Sequence, residues 1–164
     1  MYLLDEIEEG LYLGSKEQAS QLNLLFQYKI THILIAGTGS GLEPYFPTRF
    51  VYKQFPILDS PSFDILKYFD EAAEFIEDAI NSGGRVMVHC LLGVSRSTSL
   101  VIAYIMKQRR WSLRKAKLFV QYLHPDARPN KGFLRQLEIY SRILAIREPT
   151  NAPNDNVSCS CTLF

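Results

Sequence analysis

The sequence predicts an α/β domain, because its composition is globular and its strand patterns are followed by helix patterns. The 164 residues are 47% hydrophobic and 21% charged, as expected for one domain with a single core. Short apolar runs precede longer segments in which apolar residues recur at helical spacing. We therefore predict a folded domain over residues 1–147, followed by a polar, flexible tail over residues 148–164.

The first half of the chain predicts three strand regions and one helix. A short strand pair opens the chain. Ser15, with Gln18 three residues later, forms a capping-box pattern that predicts the start of a helix reaching about Tyr28. The apolar run His32–Ala36 predicts a buried strand, and residues 49–55, enriched in Phe, Val and Tyr, predict another.

The second half predicts one buried strand among four helices. Apolar residues from Ile65 onward fall at helical spacing until the glycine pair at residues 83–84. Residues 86–88 predict a short buried strand, and the helix from Ser97 is apolar nearly all round, as in a central helix. Two further helices are predicted from their caps, Ser112 for one that ends at Leu123 and Asn130 for one from Lys131 to about Ile146.

The segment between the strand at residues 86–88 and the helix at Ser97 predicts an anion-binding loop. A tight loop there can turn its backbone N–H groups inward, and the helix N-terminus adds a partial positive charge. Gly93 permits the backbone angles of such a turn. A cysteine in this field, Cys90, would have its thiol pKa lowered from about 8.5 to roughly 3.5–7.5. Arg96 offers a planar fork of donors that suits two phosphoryl oxygens.

Residues 89–97 read HCLLGVSRS, which resembles the HCxxGxxRS signature of the protein tyrosine phosphatases, closest to their small dual-specificity branch. The resemblance includes LYLGS, ILDSPSFDILKYFDEAAEFI and RPNKGFLRQL, and so spans roughly residues 5–146. It implies a central mixed, mostly parallel sheet flanked by helices, with the site at the C-terminal end of the strand at residues 86–88. Since no kinase-docking domain precedes the catalytic one, the chain is similar to the atypical group.

The resemblance also implies a two-step hydrolysis that needs no metal or cofactor. Cys90 would attack phosphorus, water would hydrolyse the cysteinyl-phosphate, and Arg96 would clamp the oxygens. Ser97 would stabilise the thiolate that leaves in the second step, and His89 would support the loop and tune the cysteine. The phosphate-binding loop itself would consist of Leu91, Leu92, Gly93, Val94, Ser95 and Arg96.

A carboxylic acid should face the thiolate, because the leaving oxygen needs a proton. Asp59 matches the acid position of the family. Asp64 is the rival, although capping and the helix dipole explain an Asp at the start of a helix. Since a free Asp titrates near pH 3.9, an acid role for Asp59 predicts a bell-shaped profile with a mildly acidic optimum.

The neutral side chains of the loop favour phosphorylated proteins as substrates, with both phosphotyrosine and phosphoserine or phosphothreonine admitted. Lipid phosphatases of the superfamily carry lysines in this loop, whereas Leu91, Leu92 and Val94 are neutral. Lys and Arg number 18 against 17 acidic residues, so no overall charge attracts nucleic acid. A pseudophosphatase that binds phosphorylated partners without turnover and a phosphoinositide phosphatase are the alternatives. The family usually has Ala where Leu92 stands, which could crowd the loop or alter the pocket mouth.

The cysteines and the C-terminus bear on localisation. Cys90, Cys159 and Cys161 form neither a disulfide framework nor a zinc-binding pair, which favours a reducing, cytoplasmic setting. No signal peptide or membrane-spanning run is predicted. The last four residues fit the CaaX pattern, with Cys161 as prenyl acceptor and Cys159 as a palmitoylation site that would supply a second anchor. A tail tethered peripherally to a membrane and an unmodified tail fit the sequence equally.

Overall fold

Five short strands form the centre of the fold in the computed structural model, which describes residues 3–39 and 41–147. The strands are β1 (Asp5–Glu8), β2 (Leu11–Gly14), β3 (His32–Ala36), β4 (Val51–Phe55) and β5 (Val86–His89). The helices are α1 (Lys16–Ala19), α2 (Leu22–Gln27), α3 (Phe69–Asn81), α4 (Arg96–Arg109), α5 (Leu113–Leu123) and α6 (Lys131–Arg147), with a 3-10 turn at Leu66–Tyr68 before α3.

The sheet is mixed and mostly parallel. Its strand order is β1-β2-β5-β3-β4, with β5 at the centre. The β1–β2 pair is antiparallel, whereas the β2–β5, β5–β3 and β3–β4 pairs are parallel. The fold class predicted from the sequence is confirmed. Because β2, β5 and β3 are parallel neighbours, their carboxyl ends meet at one edge of the sheet.

The two faces of the sheet are buried by different helices. Side chains alternate between the faces along a strand, so Val86 and Val88 join the core formed with α3, α4, α5 and α6. Met87 lies between them in sequence and packs on the opposite face with residues of α1 and α2. Every residue from 97 to 106 of α4 is buried, which confirms the prediction of a central helix.

The predicted helix from Ser15 to Tyr28 is wrong in one respect, because the structure divides it into α1 and α2. The backbone of Gln21 is extended, with φ −102° and ψ 94°, and it serves as the N-cap of α2. The Ser20 hydroxyl donates to the carbonyl of Glu17 at 2.8 Å, a local bond that competes with helix continuation. The helical spacing of apolar residues continues through Gln21, so the sequence pattern does not predict this break.

The capping predictions for the later helices are confirmed. Ser112 Oγ accepts a hydrogen bond from the backbone N–H of Lys115 at 3.3 Å, and Asn130 Oδ1 accepts one from the N–H of Phe133 at 2.9 Å. No helix in the described part of the chain is long and apolar enough to cross a bilayer. The tail, with the predicted lipid acceptors Cys159 and Cys161, lies outside the described residues.

Candidate active site

The loop at residues 90–96, called the phosphate loop below, joins the carboxyl end of β5 to the N-terminus of α4. This position places it at the centre of the sheet edge, with helix N–H groups directed at the loop. A pocket with a volume of about 130 Å³ opens there. Its lining consists of Asp59, Cys90, Leu91, Leu92, Val94, Ser95 and Arg96. The structure therefore brings together the predicted nucleophile, clamp and acid.

Gly93 makes the tight turn of the loop possible. Its φ of +74° lies in the left-handed region, and a Cβ at this position would lie 2.8 Å from the carbonyl oxygen of Gly14. Both the backbone conformation and the close approach to β2 therefore require glycine. The sequence prediction for Gly93 is confirmed in both its location and its reason.

Cys90 is held at the base of the pocket by hydrogen bonds to its sulfur. Its side chain is 3% exposed, and Sγ accepts bonds from Ser97 Oγ and from the Gly93 N–H, each at 3.3 Å. Burial alone would raise the pKa of the thiol. The hydrogen bonds from Ser97 and Gly93, together with the charge of Arg96, outweigh burial and lower the pKa below its ordinary value. The thiolate is thus favoured where a nucleophile is needed.

Arg96 presents an unused donor inside the site. Its Nη1 donates to the carbonyl of Ile57 at 3.4 Å, whereas its buried Nε has no hydrogen-bond partner among the residues that the structure describes. A buried, charged N–H without an acceptor is costly, so the geometry suits an anion that supplies one. Gly37 makes room for the guanidinium, because a Cβ there would lie 2.5 Å from Nη1.

Asp59 lines the pocket and is exposed to solvent. The side-chain amide of Asn130 donates to Asp59 Oδ1 at 3.0 Å and orients the carboxyl group. Asp64, the rival, is also exposed and lies outside the pocket lining. The geometry therefore favours Asp59 over Asp64 as the acid.

His89 supports the loop through the backbone rather than through the thiol. Its ring is fully buried, and Nδ1 lies 3.2 Å from the carbonyl oxygen of Cys90, which fixes Nδ1 as the donor. Burial lowers the pKa of His89 to about 4. The ring is therefore neutral at neutral pH.

The segment at residues 124–130 contacts the phosphate loop, and sequence reasoning missed this role. The backbone N–H of Arg128 donates to the carbonyl of Val94 at 2.8 Å, and the N–H of Asn130 donates to Ser95 Oγ at 3.0 Å. The sequence predicted Asn130 only as a helix cap, and it predicted no role in the site for Gly37. The clustering of Arg, Pro and Asn at residues 128–130, directly before a capped helix, was the signal available.

Comparison with known proteins agrees with this geometry. The family model described as "Dual specificity phosphatase, catalytic domain" matches residues 11–143. Dual specificity protein phosphatase 1 of Arabidopsis thaliana is 42% identical over 142 residues, which cover 87% of this chain and 71% of that protein. Protein phosphatase Slingshot homolog 3 of Rattus norvegicus is 46% identical over 134 residues, which cover 82% of this chain but 20% of that protein.

A solved structure gives the same result at the level of the fold. The human tyrosine phosphatase-like serine/threonine/tyrosine-interacting protein superposes with a TM-score of 0.83 at 36% identity, covering 87% of this chain and 98% of that one. The family match spans strands β2 to β5, the phosphate loop and most of α6. The chain belongs to the dual specificity phosphatase catalytic domain family, within the superfamily of protein tyrosine phosphatases.

Proposed function

We propose that this protein phosphatase acts on phosphotyrosine and on phosphoserine or phosphothreonine, without a metal ion, through a cysteinyl-phosphate on Cys90. The observation that carries the proposal is the geometry around the sulfur. Cys90 Sγ accepts two hydrogen bonds at the base of a pocket that also contains Arg96 and Asp59. Nucleophile, clamp and acid are the groups that phosphoryl transfer through a covalent enzyme intermediate requires.

In the first step, the Cys90 thiolate forms an S–P bond while the bond from phosphorus to the substrate oxygen breaks. The electron pair of that bond moves to the leaving oxygen, which takes a proton from the carboxyl group of Asp59. The Arg96 guanidinium and the inward N–H groups of the loop hold the three remaining phosphoryl oxygens. The products are a cysteinyl-phosphate, an alcohol or phenol, and an Asp59 carboxylate.

In the second step, water attacks phosphorus and the S–P bond breaks. Asp59 accepts a proton from the water, and the electron pair of the S–P bond returns to the sulfur as a thiolate. The Ser97 hydroxyl, 3.3 Å from Sγ, stabilises that thiolate by donating to it. Inorganic phosphate leaves, and the acid form of Asp59 and the thiolate are both restored.

The composition of the pocket supports a phosphorylated protein as the substrate. Arg96 is the single cation among the residues that line it, and Leu91, Leu92 and Val94 supply apolar surface. An inositol ring with several phosphates would require more positive charge than this lining provides. Leu92 is 67% exposed, so it lies at the pocket mouth and does not crowd the loop.

Phosphopeptide hydrolysis tests the proposal. We expect the wild-type protein to release phosphate from peptides with phosphotyrosine and with phosphothreonine, and to do so equally well with excess EDTA. Cys90→Ser should lose activity by at least about 10⁴-fold, because a neutral hydroxyl is a much weaker nucleophile than a thiolate.

Three outcomes would contradict the proposal. Equal, negligible rates for wild type and Cys90→Ser, with phosphopeptide binding retained, would identify a pseudophosphatase. Loss of activity in EDTA, restored by a divalent cation, would overturn metal independence. Faster hydrolysis of phosphoinositides than of every phosphopeptide would overturn the substrate class.

A further inference from the structure

Several carbonyl groups of the phosphate loop point away from the pocket. In a trans peptide, the C=O of one residue and the N–H of the next point in opposite directions, and the described chain has no cis peptide bond. A carbonyl bonded to a donor outside the loop therefore turns the following N–H toward the pocket. Three carbonyls of the loop accept such bonds. The Leu91 carbonyl accepts from the backbone N–H of Lys16 at 3.2 Å, the Gly93 carbonyl from His124 Nε2 at 2.7 Å, and the Val94 carbonyl from the backbone N–H of Arg128 at 2.8 Å.

The bond from His124 differs from the other two because its donor is a side chain. Lys16 and Arg128 donate through their backbone, so no substitution other than proline removes those bonds. His124 lies at the C-terminal end of α5 and is 8% exposed. Its ring spans the space between β1 and the phosphate loop. The sequence predicts no role for this residue.

The partners of the His124 ring fix its orientation. The carbonyl of Gly93 can only accept, so Nε2 carries a proton. Nδ1 lies 2.5 Å from Oδ2 of Asp5. The ring is therefore held at both nitrogens, by Gly93 on one side and by Asp5 on the other.

Gly93 connects His124 to the reactive sulfur, because it bonds to both. Its carbonyl faces His124, and its N–H donates to Cys90 Sγ at 3.3 Å. The peptide that follows Gly93 carries the N–H of Val94, a residue that lines the pocket. Holding the carbonyl of Gly93 outward thus directs the Val94 N–H inward, toward the place of a phosphoryl oxygen.

We propose that His124, supported by Asp5, is a positioning residue that holds the Gly93 carbonyl. It thereby aims the Val94 N–H at phosphate and keeps Gly93, whose N–H donates to Cys90, in place. The proposal rests on the proposed function of the same site. It assigns to a residue outside the signature motif a part in both oxyanion binding and thiolate stabilisation.

The test compares His124→Phe, which keeps a ring without donors, with His124→Gln, which keeps an N–H donor. We expect His124→Phe to weaken orthovanadate binding by roughly tenfold and to lower kcat/KM by roughly tenfold to a hundredfold, because one oxyanion donor is misdirected. The pH profile of Cys90 alkylation by iodoacetamide should shift to higher pH. His124→Gln should stay within about threefold of wild type on each measure.

Gln121→Ala is the matched control. Gln121 Nε2 donates to the carbonyl of Ala127 at 3.0 Å, so this variant loosens the same segment without removing a bond to the phosphate loop. Its vanadate affinity and alkylation profile should match those of wild type. If His124→Phe melts at the assay temperature, Asp5→Asn provides the second measurement. It weakens the contact that orients the His124 ring, and we expect the same changes at a smaller size.

Either of two results would overturn the proposal. The first is a folded His124→Phe variant whose alkylation profile and vanadate affinity match those of wild type. Where His124→Phe does not fold, the same result for Asp5→Asn counts in its place. The second is a Gln121→Ala variant that loses as much as His124→Phe. Alkylation and vanadate binding need no turnover. A wild-type protein that binds vanadate but hydrolyses nothing would therefore contradict the proposed function and leave this test intact.

Discussion

The phosphate loop and the loop that carries Asp59, the proposed acid, differ in how they are held. The phosphate loop is tied by hydrogen bonds to α1, to α4 and to the segment at residues 124–130. The acid loop, residues 57–64, is largely exposed, with Leu58 60% accessible. Asp59 itself is held by the side chain of Asn130.

This difference matches the two tasks in the proposed reaction. Holding an anion requires donors that are oriented before the substrate arrives. Hydrogen bonds from neighbouring elements to the carbonyls of the phosphate loop fix its backbone in this way. Delivering a proton to leaving groups of different shape requires a carboxyl group that solvent and substrate can both reach. Substitutions in the two loops should therefore have different kinetic signatures, from which the roles can be separated.

Asp59→Ala should have the largest effect and should depend on the leaving group. We expect kcat to fall by roughly 10²–10⁴ for phosphoserine and phosphothreonine peptides, since an alkoxide needs its proton. The fall should be much smaller for an aryl phosphate with an acidic phenol. Asp64→Ala is the matched control, because it removes an exposed carboxyl group of the same loop that lies outside the pocket lining. Equal losses in the two variants would remove Asp59 from the role of acid.

Arg96→Lys should lower kcat/KM by roughly 10²–10³ for every leaving group. Lysine keeps the charge but loses the planar fork and the buried Nε donor. Steady-state kinetics on the same substrate series used for Asp59→Ala measures the difference between the loops. If the loss in Arg96→Lys varied with the leaving group as it does in Asp59→Ala, the assignment of anion binding to one loop and proton transfer to the other would be wrong.

His89 should make the free energy of unfolding depend on pH. Its pKa is about 4 in the folded state, against an ordinary value of 6.5, so the unfolded state binds its proton first as the pH falls. The free energy of unfolding should therefore be fully preserved above about pH 6.5 and decrease by up to about 3 kcal/mol toward pH 4. Urea denaturation across this range, for wild type and His89→Asn, measures the effect. A variant whose stability falls as steeply as that of wild type would exclude His89 as the cause.

Gly132→Ala should displace the acid loop, although Gly132 lies in a different element of the fold. A Cβ on Gly132, in α6, would lie 1.8 Å from the carbonyl oxygen of Pro61, a backbone atom two residues after Asp59. Alanine normally favours a helix over glycine by about 1 kcal/mol, but an overlap this close must displace the loop and should outweigh that gain. We expect a loss of stability of about 1–3 kcal/mol and a reduced kcat. Thermal unfolding together with kcat gives the answer, and a stabilised, fully active variant would contradict it.

The phosphate loop could be predicted from the sequence because its elements are contiguous. The strand at residues 86–88, Cys90, Gly93 and Arg96 all lie within a short segment whose pattern has a local physical reason. The sheet order, by contrast, places β5 between β2 and β3, which are distant in sequence. The sequence did not predict this order, and the family resemblance implied only a central mixed, mostly parallel sheet.

The groups that surround the phosphate loop could not be predicted, because they depend on long-range approach. Gly37 makes room for Arg96, and His124 meets both Asp5 and Gly93, although these residues are far apart along the chain. No local pattern marks a glycine or a histidine for such a role. The extended backbone at Gln21 was missed for the opposite reason, since the helical spacing of apolar residues continues through it.

Detection of the covalent intermediate tests the role of Cys90 most directly. Ser97→Ala removes the hydroxyl that donates to the sulfur, so breakdown of the cysteinyl-phosphate should become the slow step. The reaction of this variant with a saturating aryl phosphate is quenched in acid and digested, and the Cys90 peptide is weighed by mass spectrometry. We predict a burst of the phenol product and a phosphoryl group on the Cys90 peptide. Continued turnover without a burst, with Cys90 unmodified throughout, would contradict nucleophilic catalysis by this residue.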